Sequence, residues 1–228
     1  MNREIKYALM KSLPVMAGYI VLGFGFGIIA EKNGYGLLWA MAMSLFIYAG
    51  SMQYVTISLL TSGASLITAA LTTLMVNARH LFYGITMIEP YKEIKSNKPY
   101  LIFSLTDETY SLVCNGCDED IDFKKYSFFV SLFNHSYWII GTLLGSIIGS
   151  LMQFNSRGIE FAMTALFITV FVEQWKSTKN HIPALIGLFS SIICLLIFGA
   201  DKFLIHSMLL ITFILCITSK INKQKEVK

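Results

Sequence analysis

Asn33–Ala78 reads NGYGLLWAMAMSLFIYAGSMQYVTISLLTSGASLITAALTTLMVNA, a run of 46 residues without one Asp, Glu, Lys or Arg. A bilayer crossing takes about 20 apolar residues, because ~30 Å of hydrocarbon is spanned at ~1.5 Å per residue. A run of this length holds two such segments and a turn. Outward from it the pattern continues, with uncharged stretches at Ser12–Ala30, Tyr126–Ser156, Ile182–Ala200 and Phe203–Ser219. Only 14% of the 228 residues are charged, against roughly a quarter in soluble domains. A soluble fold of this size must solvate its surface and has no core large enough for so many uncharged residues. In lipid the backbone must satisfy its own hydrogen bonds, which leaves helices or a closed barrel. Barrel strands alternate polar and apolar residues, whereas Ile192–Phe198 (IICLLIF) is apolar on every side. The sequence therefore predicts an all-α, polytopic transmembrane helix bundle.

The expected helices cover 13–30, 37–60, 64–88, 98–115, 126–152, 158–175, 181–199 and 202–219. Eight crossings with an inside N-terminus place 11 of the 18 basic residues inside, as positive-inside bias requires. Lys92, Lys95 and Lys98 fit that scheme poorly, so seven spans stay open beside eight. The first segment follows Arg3, Lys6 and Lys11 but has no small-x-small cleavage signal, so it is read as a retained helix. The net charge of +4 is spread over termini and loops and reports orientation, not nucleic-acid binding. The chain reads as one integral membrane domain over 1–228. Gly23, Gly27, Gly36 and Leu45-Phe46-Ile47 recur in spacing as Gly145, Gly149, Gly158 and Leu166-Phe167-Ile168, which suggests an internal repeat with halves 12–115 and 126–219.

Polar clusters inside apolar helices cost several kcal/mol per unpaired group and therefore need a reason. Tyr48-Ala49-Gly50-Ser51-Met52-Gln53 suits a broken helix near residues 48–53, whose freed amides and carbonyls can hold a zwitterion; the alternative is close packing at Gly50 with Gln53 bonded to a neighbour. Asn77-Ala78-Arg79-His80 carries the only charge between Lys32 and Glu89. Arg79 either binds a carboxylate, pairs with Asp107 or Glu108, or snorkels to the interface. In Thr106-Asp107-Glu108-Thr109 one acid can pair with Arg79 while the other carries a proton; a solvated loop is the plain alternative. His80 and His135 are further proton-relay candidates, though a histidine bonded between helices explains His135 equally well. Gly141, Gly145 and Gly149 line one helix face, a close-packing signature. Gly23, Gly25 and Gly27 lack the preceding strand of a nucleotide loop. Cys114-Asn115-Gly116-Cys117 has neither the further ligands of a zinc site nor a redox fold around it, so no metal and no cofactor is expected. No nucleophile–base motif points to an enzyme. A channel or facilitator for another small solute, or a membrane-embedded enzyme, remains an alternative to a coupled carrier.

Leu22-Gly23-Phe24-Gly25-Phe26-Gly27, Tyr48–Gln53, Asn77–His80, Leu105–Thr109 and Ala165-Leu166-Phe167-Ile168, in this order, resemble the AzlC family, large subunits of branched-chain amino acid exporters. Met52 and Ala78 depart from that pattern by apolar changes only. The resemblance implies a multi-pass exporter of leucine, isoleucine and valine, with methionine as a further substrate, in a bacterial cytoplasmic (inner) membrane. It also implies a small AzlD-type membrane subunit as partner and a proton gradient as driving force. On this reading Tyr48, Gly50, Ser51, Gln53, Asn77 and Arg79 bind the amino acid. Asp107, Glu108 and His80 handle its ammonium group or the coupling proton, and Phe46 and Tyr54 join Tyr48 around the branched side chain.

Overall fold

The computed structural model describes residues 3–151, 180–199 and 203–226, with 168, 171–172 and 175–176 as isolated positions. Helices are α1 (Arg3–Lys32), α2 (Gly36–Phe46), α3 (Gly50–Thr61), α4 (Leu66–Asn77), α5 (Arg79–Thr86), α6 (Lys98–Phe103), α7 (Asp107–Val113), α8 (Phe123–Leu151), α9 (Ile182–Phe198) and α10 (Phe203–Glu226). No strand occurs among the described residues. The helix expected over 158–175 lies mostly outside them, as do Gly158, Leu166 and Phe167 of the expected repeat. The chain forms two compact units divided between residues 166 and 167. In the second unit α9 and α10 pack together, with Phe198 stacked on His206.

The first unit is organised by α1 and α8. Glu4 meets Lys125, Tyr7 meets Tyr126, Tyr19 meets Trp138, and Ile28 meets Gly149. Numbers rise together along both helices, so the pair runs parallel. Small residues explain the closeness: a Cβ on Gly27 would lie 2.4 Å from Thr142 O, one on Gly141 2.6 Å from Ile20 O, and one on Gly145 2.0 Å from Phe24 O. The glycines of α1 and of α8 are thus two sides of one seam.

Among the described residues α1 alone is both long and apolar enough to cross a membrane by composition. α8 is nearly as long, at 29 residues, but its buried face carries Ser127, Ser131, Asn134, His135 and Thr142. The outer faces are apolar. Leu66 is 89% exposed, and Ile67, Leu71 and Leu74 of α4 share its surface, as suits helices solvated by lipid rather than water.

Three helices expected as continuous are interrupted. The segment 37–60 breaks between Phe46 and Gly50, where Tyr48 takes a positive φ of 44°, inside the break predicted at 48–53. The segment 64–88 is jointed at Ala78, which keeps helical angles, so α4 and α5 follow nearly one line. The segment 98–115 is split at Ser104–Thr106, and here the expectation of a through-going span fails. Before α6, Tyr91 lies beside Phe123 and Glu93 reaches Lys124, at the N-terminal end of α8. The turn reaches Tyr19 through Thr106. After it, Tyr126 donates to Leu112 O and Asp120 pairs with Arg3, back at the same end. α6 and α7 therefore form a hairpin that enters and leaves on one side. Their lengths of six and seven residues, about 10 Å each, are far too short to cross.

A candidate site where three helix starts meet

Each interrupted segment restarts a helix at one of the polar motifs: Gly50-Ser51 opens α3, Arg79 opens α5, and Asp107-Glu108 opens α7. Asp107 and Glu108, expected mid-helix, instead occupy the first turn of α7, where negative charge suits the exposed amides. Thr106 caps that turn by accepting a hydrogen bond from Thr109 N.

The three starts converge. Arg79 Nη1 pairs with Asp107 Oδ2, and Arg79 Nη2 donates to Ser51 Oγ at 2.8 Å. The side chains of Arg79 and Asp107 are 29% and 22% exposed, so the pair is held mostly by protein. Asp107 Oδ1, Asn77 Oδ1 and Tyr48 Oη are buried without a hydrogen-bond partner among the described residues. Such atoms are uncommon in a settled core and mark acceptor or donor capacity at this spot.

Glu108, adjacent in sequence, points elsewhere. Tyr19 Oη donates to Glu108 Oε2 at 2.7 Å and lies 2.6 Å from Thr106 Oγ1. Thr106 Oγ1 in turn donates to Thr109 Oγ1 at 3.0 Å, which also accepts from Asn134 Nδ2 at 3.0 Å. The two acids therefore have separate partners, a cation for one and a hydroxyl for the other.

The remaining predicted residues are placed differently. Gly50 abuts the Trp138 indole, where a Cβ would come within 2.9 Å of the ring. Gln53 is fully buried and donates to Ser44 Oγ, which is 2.9 Å from Thr142 Oγ1. Gly50 thus packs against α8 and Gln53 bonds to α2, with Gln53 Oε1 buried without a partner among the described residues, while Ser51 joins the ionic group. His80 bonds to Asn77 O and lies edge-on to Tyr83, so no hydrogen bond joins it to either acid. His135 bridges Tyr100 Oη and Ser44 O. Because a carbonyl only accepts, His135 carries a proton on Nε2, while its Nδ1 shares a hydrogen bond with the Tyr100 hydroxyl. Its ring lies 4.1 Å from that of Tyr48. Tyr54 donates to Leu22 O and meets Phe26, while Phe46 is exposed on the outer surface.

Tyr19, Thr109 and Asn134 were not singled out from the sequence. Tyr19 precedes Gly23 and Gly27 at four-residue spacing, so it shares the face that meets α8. A tyrosine on a buried glycine face is the signal that could have found it.

Among the described residues no group of three metal-ligating side chains occurs. In the loop after α7, Cys117 donates to Ile121 O and Cys114 to Ser111 O. Burial, with Asp118 and Asp122 beside it, pushes the Cys117 thiol up from its ordinary value, away from the thiolate that metal binding and redox exchange need.

The family model described as AzlC protein matches residues 14–152, which contain all three motifs. The branched-chain amino acid transport protein AzlC of Bacillus subtilis (strain 168) is 41% identical over 95% of this chain and 85% of its own length. An uncharacterized membrane protein of Helicobacter pylori (strain ATCC 700392 / 26695) is 40% identical over 96% of both chains. The inner membrane protein YgaZ of Escherichia coli (strain K12) is 29% identical over 74% of this chain and 72% of its own. No solved structure matches significantly. The chain belongs to the AzlC family of helical membrane proteins.

Proposed function

We propose that this protein exports branched-chain amino acids across a bacterial inner membrane, driven by protons and assisted by a small AzlD-type subunit. The observation that carries the reading is the Ser51–Arg79–Asp107 group, where opposite charges and helix N-termini meet inside an apolar bundle. An amino acid brings one charge of each sign, so it can exchange with the Arg79–Asp107 pair without leaving either charge bare. Its carboxylate would take Arg79 and the opening amides of α3, and its ammonium group would take Asp107. Asn77, two residues before Arg79, supplies a buried oxygen without a partner among the described residues. Glu108, paired to a hydroxyl rather than a cation, is the acid free to gain and lose the coupling proton. The substrate class rests on the printed name of the Bacillus subtilis relative and on 41% identity. An apolar pocket separates one methylene by only ~1–3 kcal/mol, so overlapping use of leucine, isoleucine and valine is expected.

The geometry also supports fewer crossings in residues 3–151 than the five expected there. The hairpin α6–α7 returns to its own side, and α1 and α8 run parallel, so an even number of crossings separates their starts. With α4 and α5 in line across the bilayer, α2–α3 is then the second hairpin, entering from the opposite side. Residues 3–151 would cross three times.

Efflux of preloaded labelled leucine, from cells expressing the chain with and without the small subunit, tests the reading. Efflux that stops with an uncoupler supports it. With both proteins in the membrane and no branched-chain efflux, the substrate assignment falls; flux indifferent to the uncoupler would indicate a facilitator.

A further inference from the structure

Three short contacts join Glu108, Tyr19, Thr106 and Thr109 in series, at 2.7, 2.6 and 3.0 Å between oxygens. Each contact needs one proton between its two oxygens. Tyr19 and Thr106 together own two hydroxyl protons. The third must come from one end of the series: from Thr109 when Glu108 is ionised, or from Glu108 when it is protonated.

In the ionised arrangement Tyr19 donates to the carboxylate and Thr106 to Tyr19, which requires Thr109 to donate to Thr106, the reverse of the Thr106-to-Thr109 direction in the structure. In the protonated arrangement all three directions reverse, and Thr109 must send its proton elsewhere. Asn134 is placed to receive it. Its amide already touches Thr109 Oγ1 through Nδ2, and its Oδ1 is buried without a partner among the described residues, so an amide flip provides the acceptor. Only hydrogen-bond directions change, no covalent bond other than that of the single proton on Glu108.

We infer that Tyr19, Thr106 and Thr109 form a reversible hydroxyl chain that carries the protonation state of Glu108 to Asn134 on α8, with Tyr19 the positioning residue for the coupling proton. This rests on the transport reading for its purpose, though not for its existence. The series links α7 to the closely packed pair α1 and α8, so it spans the contact that a carrier moving α7 would have to loosen. The bond from Tyr19 to an ionised carboxylate is charge-assisted and about twice as strong as a neutral one, so α1 and α7 hold together more firmly when Glu108 has lost its proton. The charged and titratable groups that face Glu108 are Tyr19 from α1, Tyr48 from the α2–α3 turn, Arg79 and Tyr83 from α5, and Asp107 beside it. Of these Tyr19 alone makes a hydrogen bond to its carboxylate in the structure.

The test is infrared difference spectroscopy of the full-length purified chain, following the carboxylic C=O stretch with pH. Glu108→Gln should remove one band and so identify it. Tyr19→Phe removes the donor to the ionised form, and the pH at which that band disappears should rise by about one unit. Thr109→Val removes only the far proton, touches neither Glu108 nor Tyr19, and should move the same band in the same direction by less. A purely structural Thr109 would leave the band in place. Titrations of both variants that superimpose on the unsubstituted protein overturn the chain. Leucine flux in reconstituted vesicles is measured separately: shifted bands with no flux would keep the chain and overturn the transport reading alone.

Discussion

The seam between α1 and α8 and the junction at Arg79 lie in the same unit and solve opposite problems. At the seam, backbones touch because glycine leaves nothing between them; Gly145 faces Phe24 O with no room for a methyl group. At the junction helices begin: Thr106 caps the one at Asp107, while those at Gly50 and Arg79 have no side-chain cap, and Tyr48, Asn77 and Asp107 each keep a buried polar atom without a partner among the described residues. A contact with no slack has one arrangement. A contact with spare donors and acceptors has several close in energy, which is what a site that binds, releases and rebinds requires. The comparison predicts that the seam should fail structurally and the junction functionally.

The seam should give the largest effect. Gly145→Leu places a branched side chain where a Cβ alone would sit 2.0 Å from Phe24 O, against backbone that cannot turn aside. We expect folded protein recovered from membranes to fall at least tenfold, consistent with a loss above ~3 kcal/mol. Gly84→Leu is the control, because nothing lies within 4 Å of a Cβ there. Equal recovery of the two variants would break the comparison.

That seam was half legible in the sequence. The spacing of Gly141, Gly145 and Gly149 announces a close contact, but a glycine face does not name its partner. The matching pair Gly23 and Gly27 suggested a repeat instead, and the structure provides a second cause, since both pairs serve one contact. The break at Tyr48 was legible because small and polar residues interrupt an apolar run. The hairpin at Ser104–Thr106 was not. Its six- and seven-residue helices together imitate one 18-residue segment in composition, and only the pairings of Glu93 with Lys124 and Asp120 with Arg3 show that both ends return to one side. The pairing of Arg79 with Asp107 was anticipated as one of three options, because a lone buried cation needs an anion. Tyr19 escaped notice because a tyrosine in an apolar helix looks like packing until its hydroxyl partner is known.

At the junction the expected loss is in flux. Arg79→Ala leaves Asp107 buried and unpaired, and truncating one member of a buried pair costs ~3–5 kcal/mol, discounted here because a fifth to a third of each side chain is exposed. Leucine efflux per folded molecule should drop at least tenfold. Asp107→Asn should do likewise, and the double variant Arg79→Ala, Asp107→Ala should regain folded protein without regaining efflux. Recovery of efflux in the double variant would show the pair to be a brace and nothing more.

Gly50→Ala falls between the two regions and sharpens the line between them. The new methyl group would press on the far edge of the Trp138 ring at 2.9 Å, a side chain rather than a backbone, so the indole can give way by a small rotation. Folding should survive, with efflux reduced a fewfold because α3 starts slightly displaced from Arg79. Trp138→Phe in the same protein opens space and should restore part of that efflux. If Gly50→Ala instead lowers folded protein as far as Gly145→Leu does, the junction is as rigid as the seam.

The smallest effect belongs to the loop outside both regions. Cys114 and Cys117 each give their thiol to a backbone carbonyl, and a serine hydroxyl can make the same bond. Burial, with Asp118 and Asp122 beside it, raises the Cys117 thiol from its ordinary value. Replacing both with serine should change folded protein by no more than ~0.5 kcal/mol equivalent and leave efflux the same with or without a chelator or a reductant. A chelator that slows the unsubstituted protein but not the serine variant would give this loop a role that its hydrogen bonds do not require.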